Sequence, residues 1–192
     1  MRHGELLAAI SDLDPVEVKG DFERHCGLRW QDLTPSAAGG RWGARRAFEV
    51  LYLGRPRESV VVEAYRHLVD DELDMPGDLA AAVIERRVLT CEVRVDNILD
   101  LRSQEVRATV DIADNDLFSE PGEYERCQAI GAAAHQLGRY GVIAPSASRL
   151  GETLALFSTN LPVEQWPTVK TRDIWRGLPP DPRRLRAVED TA

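Results

Sequence analysis

Glu63 is the residue whose surroundings most strongly suggest chemistry. It lies in the segment RESVVVEAYRHL, where Val60, Glu63 and Ala64 fall on one stripe at helical spacing among mostly apolar neighbours. Burying an unpaired carboxylate costs on the order of several kcal/mol. Such a group is suited to stabilising a developing cation, as in glycoside hydrolysis. Pairing with Arg66 or His67, or a position at the edge of the stripe, is an equally compatible structural explanation.

Arg41 is the second candidate, in the glycine-rich segment GGRWG at residues 39–43. Paired glycines allow close backbone approach or a positive φ. An arginine held beside the bulky Trp42 could bind a phosphate or a carboxylate with its planar guanidinium. The alternative is a tight turn in which Trp42 fills the core and Arg41 is solvated.

Ser146 follows the apolar strand-like run YGVIA, and ligands of α/β sheets often bind at the carboxyl ends of strands. A serine in a turn or at a helix cap is the alternative explanation. There is no GxSxG motif, so a serine hydrolase is not indicated. Tyr52 lies in the strand-like run EVLYLG, where a tyrosine usually packs in the core with its hydroxyl at the rim.

Other site classes are not supported by the sequence. The chain has three widely spaced cysteines, without CxxC, and four histidines, without HExxH, so we expect no metal site. No GxGxxG or GxxxxGK[ST] motif follows a predicted strand, which argues against Rossmann and P-loop nucleotide sites. The net charge of −8 argues against direct DNA binding.

The elements that must position these residues interleave helices and strands. We predict helices at 4–13, from Arg55-Pro56 to about residue 73, at 78–87 and at 123–138. We predict strands at 16–25, 47–54, 88–96, 140–147 and 153–160, with a short extended piece at 98–102 and a weaker strand at 166–175. Residues 31–46 are predicted to be a loop, and 103–120 carry no clear pattern.

The predicted order of elements is typical of an α/β or α+β fold with a mixed sheet flanked by helices. A length of 192 residues fits one domain, which we place at 1–178, with a core at about 17–165 and a tail at 179–192. No apolar run approaches the roughly 20 residues of a membrane helix. The N-terminus has no secretory signal pattern, so we expect a cytoplasmic protein.

Taken in order, the segments GGRW, VLYLG, VVEAYRHL, GVIAPSA and TN resemble the RES domain, a family named for its Arg, Glu and Ser. The resemblance spans about residues 17–165. It implies Glu63, Arg41 and Ser146 as catalytic residues. It also implies that NAD is bound by Arg24, Arg41, Tyr52, Ser146 and Asn160, with Arg29 as the fallback for Arg24 because Glu23 interrupts the expected aromatic–arginine pair.

The resemblance further implies a fold related to ADP-ribosyltransferases and a toxin of a type II toxin–antitoxin system. Such a toxin degrades NAD by breaking the nicotinamide–ribose bond, with water or phosphate as acceptor. NAD is then a substrate, and no tightly bound cofactor is expected. An Xre-like antitoxin is the implied protein partner, in a homodimer or larger complex. A protein ADP-ribosyltransferase and a non-catalytic binding module of the same fold are the alternatives.

Overall fold

The computed structural model describes residues 1–68, 85–119 and 123–183. Six strands are present in these ranges: β1 Val16–Gly27, β2 Val50–Arg55, β3 Arg86–Asp100, β4 Gly141–Pro145, β5 Glu152–Phe157 and β6 Thr168–Trp175. The same ranges hold five α-helices: α1 His3–Ser11, α2 Arg57–Leu68, α3 Gln104–Thr109, α4 Asp114–Leu117 and α5 Glu125–Gln136. A 3-10 turn, Val163–Gln165, precedes β6.

The six strands form one mixed sheet in the order β1-β2-β5-β4-β3-β6. All pairings are antiparallel except that of β3 with β4, which is parallel. An additional antiparallel ladder joins β1 to β3, from Val16 opposite Ile98 to Gly27 opposite Arg86. The pairings of β1 to β5 therefore close on themselves, and β6 lies outside this ring against β3. The predicted mixed α/β sheet is confirmed.

The apolar core consists of three clusters of buried residues, because successive side chains of a strand point to opposite faces of the sheet. One buried cluster fills the space inside the closed strands and includes Phe22, Leu89 and Leu154. A second lies where α1 and α5 cover the sheet, and it includes Ile10, Trp42 and Ile130. A third cluster places α2 against the sheet through Val60, Val61, Ala64, Val88 and Trp175. Burial of one side of each element thus explains why these amphipathic segments fold.

Several predicted boundaries are wrong. In the helix predicted at 78–87, residues 78–84 lie outside the described residues, whereas Arg86 and Arg87 begin β3. These arginines pair with β1 on one side and with β6 on the other, and this two-sided ladder overrides their helix propensity. The extended piece at 98–102 proves to be largely the end of the same strand, because β3 continues without a break to Asp100.

Other elements differ from the predictions by a few residues. The strand predicted at 47–54 begins at Val50, and the one predicted at 153–160 ends at Phe157. Residues 103–120, where no pattern was clear, contain α3 and α4. The predicted helix after Pro56 extends beyond residue 68, and that extension lies outside the described residues, as does the tail after residue 183. In the part of the chain that is described, no helix is long and apolar enough to span a membrane.

Candidate active site

A cavity of about 380 Å³ opens between β1, β2, α2 and the loop that precedes β2. Four of the residues singled out from the sequence line it: Arg24 from β1, Arg41 from the loop, Tyr52 from β2 and Glu63 from α2. They are separated by up to 39 positions in the chain, so only the tertiary fold brings them together. A concave site with convergent polar groups is the usual form of a small-molecule site.

Glu63 is held by Ser146. The Ser146 hydroxyl, completely buried just after β4, donates a hydrogen bond to Oε1 of Glu63 over 3.1 Å. The backbone of Ser146 is fixed in turn, because its N–H donates to the carbonyl of Gly151 at 3.0 Å. The fold therefore brings together two residues that the resemblance implies as catalytic, although Ser146 supports the carboxylate from behind and is not among the residues that line the cavity.

Two further serines surround Ser146, and the sequence analysis missed both. Ser59 of α2 and Ser148 of the turn after β4 are buried, and their hydroxyls lie 2.8 Å from the Ser146 hydroxyl. Ser59 shares the apolar helix with Glu63, one turn earlier, and Ser148 stands in the same APSAS segment as Ser146. Their closeness in sequence to Glu63 and Ser146 was the only available signal, because neither serine breaks a local rule.

Arg24 occupies the place where β1 and β2 separate. These strands pair through one residue pair, Glu23 opposite Gly54. Beyond this pair, Nη1 of Arg24 donates to the Tyr52 carbonyl at 3.3 Å and Nη2 donates to the Thr34 carbonyl at 2.8 Å. Its Nε is buried without a hydrogen-bond partner, and burial lowers the pKa of the guanidinium. The wall of the cavity thus contains a charged donor that is not fully satisfied.

Arg29, the fallback for Arg24, lies elsewhere. It is exposed in the turn after β1 and is not among the residues that line the cavity. Of the two arginines, the geometry therefore favours Arg24 as the site residue, even though Glu23 precedes it in the sequence.

Two explanations were offered for the loop that carries Arg41, a ligand-binding arginine and a turn with Trp42 in the core, and each holds in part. Trp42 is 1% exposed and packs in the core, whereas Arg41 lines the cavity with its guanidinium carbon 5.2 Å from the ring centre of Tyr124. The Trp42 N–H donates to the Tyr52 hydroxyl at 3.0 Å. A Cβ on Gly40 would lie 2.8 Å from that hydroxyl, so a residue without a side chain is required there.

Tyr52 is both a wall of the cavity and an anchor for the loop. Burial raises the pKa of its phenol, so the hydroxyl stays protonated at neutral pH while it accepts the Trp42 N–H. The ring therefore presents a fixed aromatic surface to the cavity that Glu63 also lines. Its position follows from β2, where Leu51 and Leu53 point into the closed sheet and Tyr52 to the other face.

Asn160 is not brought to the cavity. Its amide nitrogen donates to the carbonyl of His135 at 2.8 Å and to that of Arg139 at 2.9 Å, so it caps the end of α5. The contact with NAD predicted for Asn160 has no support in this geometry. The last carbonyls of a helix have no partners within the helix. Here the side-chain amide of a residue after β5 supplies a donor at the helix end.

Two charged residues lining the cavity were not predicted, Glu23 and Arg86. Each has a buried side-chain atom without a hydrogen-bond partner, Oε2 of Glu23 and Nε of Arg86. Burial raises the pKa of Glu23 despite Arg57, whose Nη1 lies 3.6 Å from the carboxylate. Among the residues described, no three metal-ligating side chains cluster. Unsatisfied charged groups in one cavity indicate a site built for a polar ligand.

Curated relatives are similar in sequence over most of the chain. The NAD(+) phosphorylase MbcT of Mycobacterium tuberculosis is 30% identical over 149 residues, which covers 76% of this chain and 77% of MbcT. MbcT of Mycobacterium bovis matches to the same extent. The probable NAD(+) phosphorylase Rv3189 of M. tuberculosis is 33% identical over 129 residues, covering 67% of this chain and 58% of that protein.

A solved structure shows the same fold. It is the crystal structure of the M. tuberculosis MbcT–MbcA toxin–antitoxin complex, which superposes with a TM-score of 0.78 at 22% sequence identity. The match covers 89% of this chain and 92% of that chain. The family model of the RES domain matches residues 22–177, a range that includes every residue described above in the cavity. The chain therefore belongs to the RES domain family.

Proposed function

We propose that this protein is an NAD-degrading toxin that breaks the bond between nicotinamide and ribose, with phosphate as the acceptor. The observation that carries the proposal is the Glu63 carboxylate, held by a buried serine at a cavity lined by arginines. The names of the relatives, NAD(+) phosphorylases, support the substrate and the acceptor. The toxin–antitoxin complex of the structural neighbour supports an antitoxin as partner.

The proposed reaction separates charge at the ribose. The C1–N bond breaks, its electron pair goes to the nicotinamide nitrogen, and C1 acquires oxocarbenium character. The carboxylate of Glu63 stabilises this positive charge, and because Ser146 holds it in place, the interaction needs little reorganisation. A phosphate oxygen then attacks C1, which yields nicotinamide and ADP-ribose phosphorylated at C1. If the attacking phosphate still carries a proton, Glu63 accepts it.

The remaining residues bind and orient the substrate in this proposal. Arg24 and Arg41 neutralise the pyrophosphate, because a planar guanidinium pairs with two phosphate oxygens. Tyr52 packs against nicotinamide or ribose with the ring that its hydrogen bond to the loop holds in place. Ser146 keeps the carboxylate in the orientation that faces the cavity. Held in this way, the groups need little reorganisation during the reaction.

The test is an incubation of the purified protein with NAD labelled in its ADP-ribose part, with and without phosphate and with cell extract. We expect phosphorylated ADP-ribose, formed only when phosphate is present. Free ADP-ribose regardless of phosphate would make the protein a glycohydrolase, and labelled protein would make it a transferase. Survival of NAD under all three conditions would refute the enzymatic proposal.

The carboxylate is tested with a matched pair of variants on α2. Glu63→Gln keeps the size of the side chain and removes its charge, so we expect kcat to fall by about 100-fold or more and growth inhibition on expression to disappear. Glu58→Gln, at an exposed position on the same helix, is the control and should remain active. Circular dichroism and thermal unfolding verify that both variants fold. A fully active Glu63→Gln protein would contradict the role assigned to this residue.

A further inference from the structure

The hydroxyls of Ser59, Ser146 and Ser148 form a closed group behind Glu63. Ser59 lies 2.8 Å from Ser146 and 3.0 Å from Ser148, and Ser146 lies 2.8 Å from Ser148. The three residues are 1%, 0% and 9% exposed, so bulk water does not compete for these hydrogen bonds. One end of the group contacts the carboxylate, and the other contacts the backbone of Leu150.

The number of donors and acceptors determines where the Ser146 proton points. A serine hydroxyl has one proton to donate and two lone pairs to accept with. Ser146 Oγ accepts from the Ser148 N–H at 3.2 Å and from the Ser59 hydroxyl at 2.8 Å. Both lone pairs are then occupied, and the proton of Ser146 is left for Oε1 of Glu63. Ser59 therefore makes Ser146 a dedicated donor to the carboxylate.

The same group also satisfies a protonated Glu63. The carboxyl O–H then donates to Ser146, Ser146 to Ser59, Ser59 to Ser148, and Ser148 to the carbonyl of Leu150, which is 3.1 Å away. The Leu150 N–H, also 3.1 Å from the Ser148 oxygen, occupies the second lone pair of Ser148. Each serine keeps its own proton and only turns its hydroxyl, so no heavy atom has to move.

We infer that Ser59 and Ser148 are positioning residues, which act through Ser146 to hold Glu63 in one orientation both as carboxylate and as carboxylic acid. The inference rests on the proposed function, in which Glu63 is the catalytic group. It extends the site to Ser59, a helix residue that lines the cavity next to Glu63, and to Ser148, a turn residue that does not line it. Neither serine has to contact the substrate to act through Ser146. The expected consequence is on turnover and not on the binding of NAD, because the arginines and Tyr52 are untouched.

The experiment compares steady-state kinetics of NAD cleavage in full-length variants. We expect Ser59→Ala and Ser148→Ala each to lower kcat by about 10- to 100-fold, as when a partner that orients a functional ligand is removed, with KM for NAD within about 2-fold of wild type. Ser59→Thr, which retains a hydroxyl, should recover most of the lost kcat. The control is Ser119→Ala, a half-buried serine whose hydroxyl donates to the Asp116 carbonyl outside the cavity.

The outcomes separate this inference from the proposed function. A wild-type protein that leaves NAD intact would overturn the proposed function and this inference with it. Active wild type with unchanged kcat in both folded alanine variants would overturn this inference alone. The same holds if Ser59→Thr is as impaired as Ser59→Ala, or if the loss lies in KM. If Ser59→Ala does not fold, the test depends on Ser148→Ala, because Ser148 lies in a turn and not in a helix.

Discussion

Gly131→Ala is the substitution for which the structure and helix propensity predict opposite effects. Gly131 lies within α5, where alanine is favoured over glycine by about 1 kcal/mol. A Cβ at this position, however, would lie 2.0 Å from the carbonyl oxygen of Trp42 and 2.8 Å from its carbonyl carbon. Propensity alone therefore predicts a more stable protein, whereas the contact with Trp42 predicts a less stable one.

The size of the effect follows from the required displacement. Moving the Trp42 carbonyl from 2.0 Å to an ordinary contact of 3.4 Å is a shift of about 1.4 Å. Overpacking of this kind costs about 1–3 kcal/mol, so the variant should lose up to about 2 kcal/mol of unfolding free energy after the gain in propensity. The shift also displaces Arg41 in the cavity, and a misplacement of about 1 Å is sufficient to lower activity by about 100-fold.

Urea denaturation and kcat/KM for NAD measure the two effects. Gly4→Ala is the matched control, because Gly4 is also helical and a Cβ there has no atom within 4 Å. The control should retain activity and lose no stability. If Gly131→Ala were as stable and as active as Gly4→Ala, the close packing of α5 on the Arg41 loop would be refuted.

Two further predictions concern residues at and away from the cavity. Asn160→Ala should lower the unfolding free energy by about 1–3 kcal/mol, because the His135 carbonyl at the end of α5 and the Arg139 carbonyl just after the helix each lose a donor, with KM for NAD unchanged in the folded protein. Glu23→Gln should raise Tm at about pH 7 and change it little at about pH 3, below the ordinary glutamate pKa of about 4.3. Burial raises the pKa of Glu23 in the folded state, so its contribution to stability is present below the unfolded pKa and is lost as pH rises through the folded one.

Denaturation of Asn160→Ala alongside wild type, combined with kinetics, checks the first of these. A raised KM at unchanged stability would instead assign the amide to the substrate. Thermal unfolding of Glu23→Gln across the pH range checks the second. An equal change of Tm at all pH values would show that the ionised carboxylate is not penalised by its burial.

The sequence predicted which kinds of residue line the cavity. It did not predict the residues that hold those side chains in place. An acid on an apolar helix and an arginine after paired glycines violate local rules, and both line the cavity. Ser59 is different, since a single serine in a helix violates no rule. Its importance comes from a residue 87 positions away, with which it shares a hydrogen bond. Pairings of this kind depend on tertiary structure, which single-sequence patterns do not record.

Errors in the predicted strands have the same origin. The segment from residue 86 to residue 100 carries charges and a change of pattern near Asn97, which suggested two pieces after a helix. Pairing with β1, β4 and β6 along its length makes it one strand. Asn160 illustrates a related limit, because a polar residue after a strand suits a ligand and a helix cap equally well until its neighbours are known.

The position of β6 outside the closed ring of strands has a consequence for how the protein meets other chains. Among the strands described, β6 alone has a single neighbour, so within the described residues its second edge is not paired with a strand. Such an edge is a place where an extended peptide could add. Its basic side chains are engaged by the protein's own acids: Lys170 with Asp21 and Arg172 with Asp32. Charged edges of this kind discourage strand addition and aggregation. We therefore expect this edge of the sheet not to accept a strand from another chain.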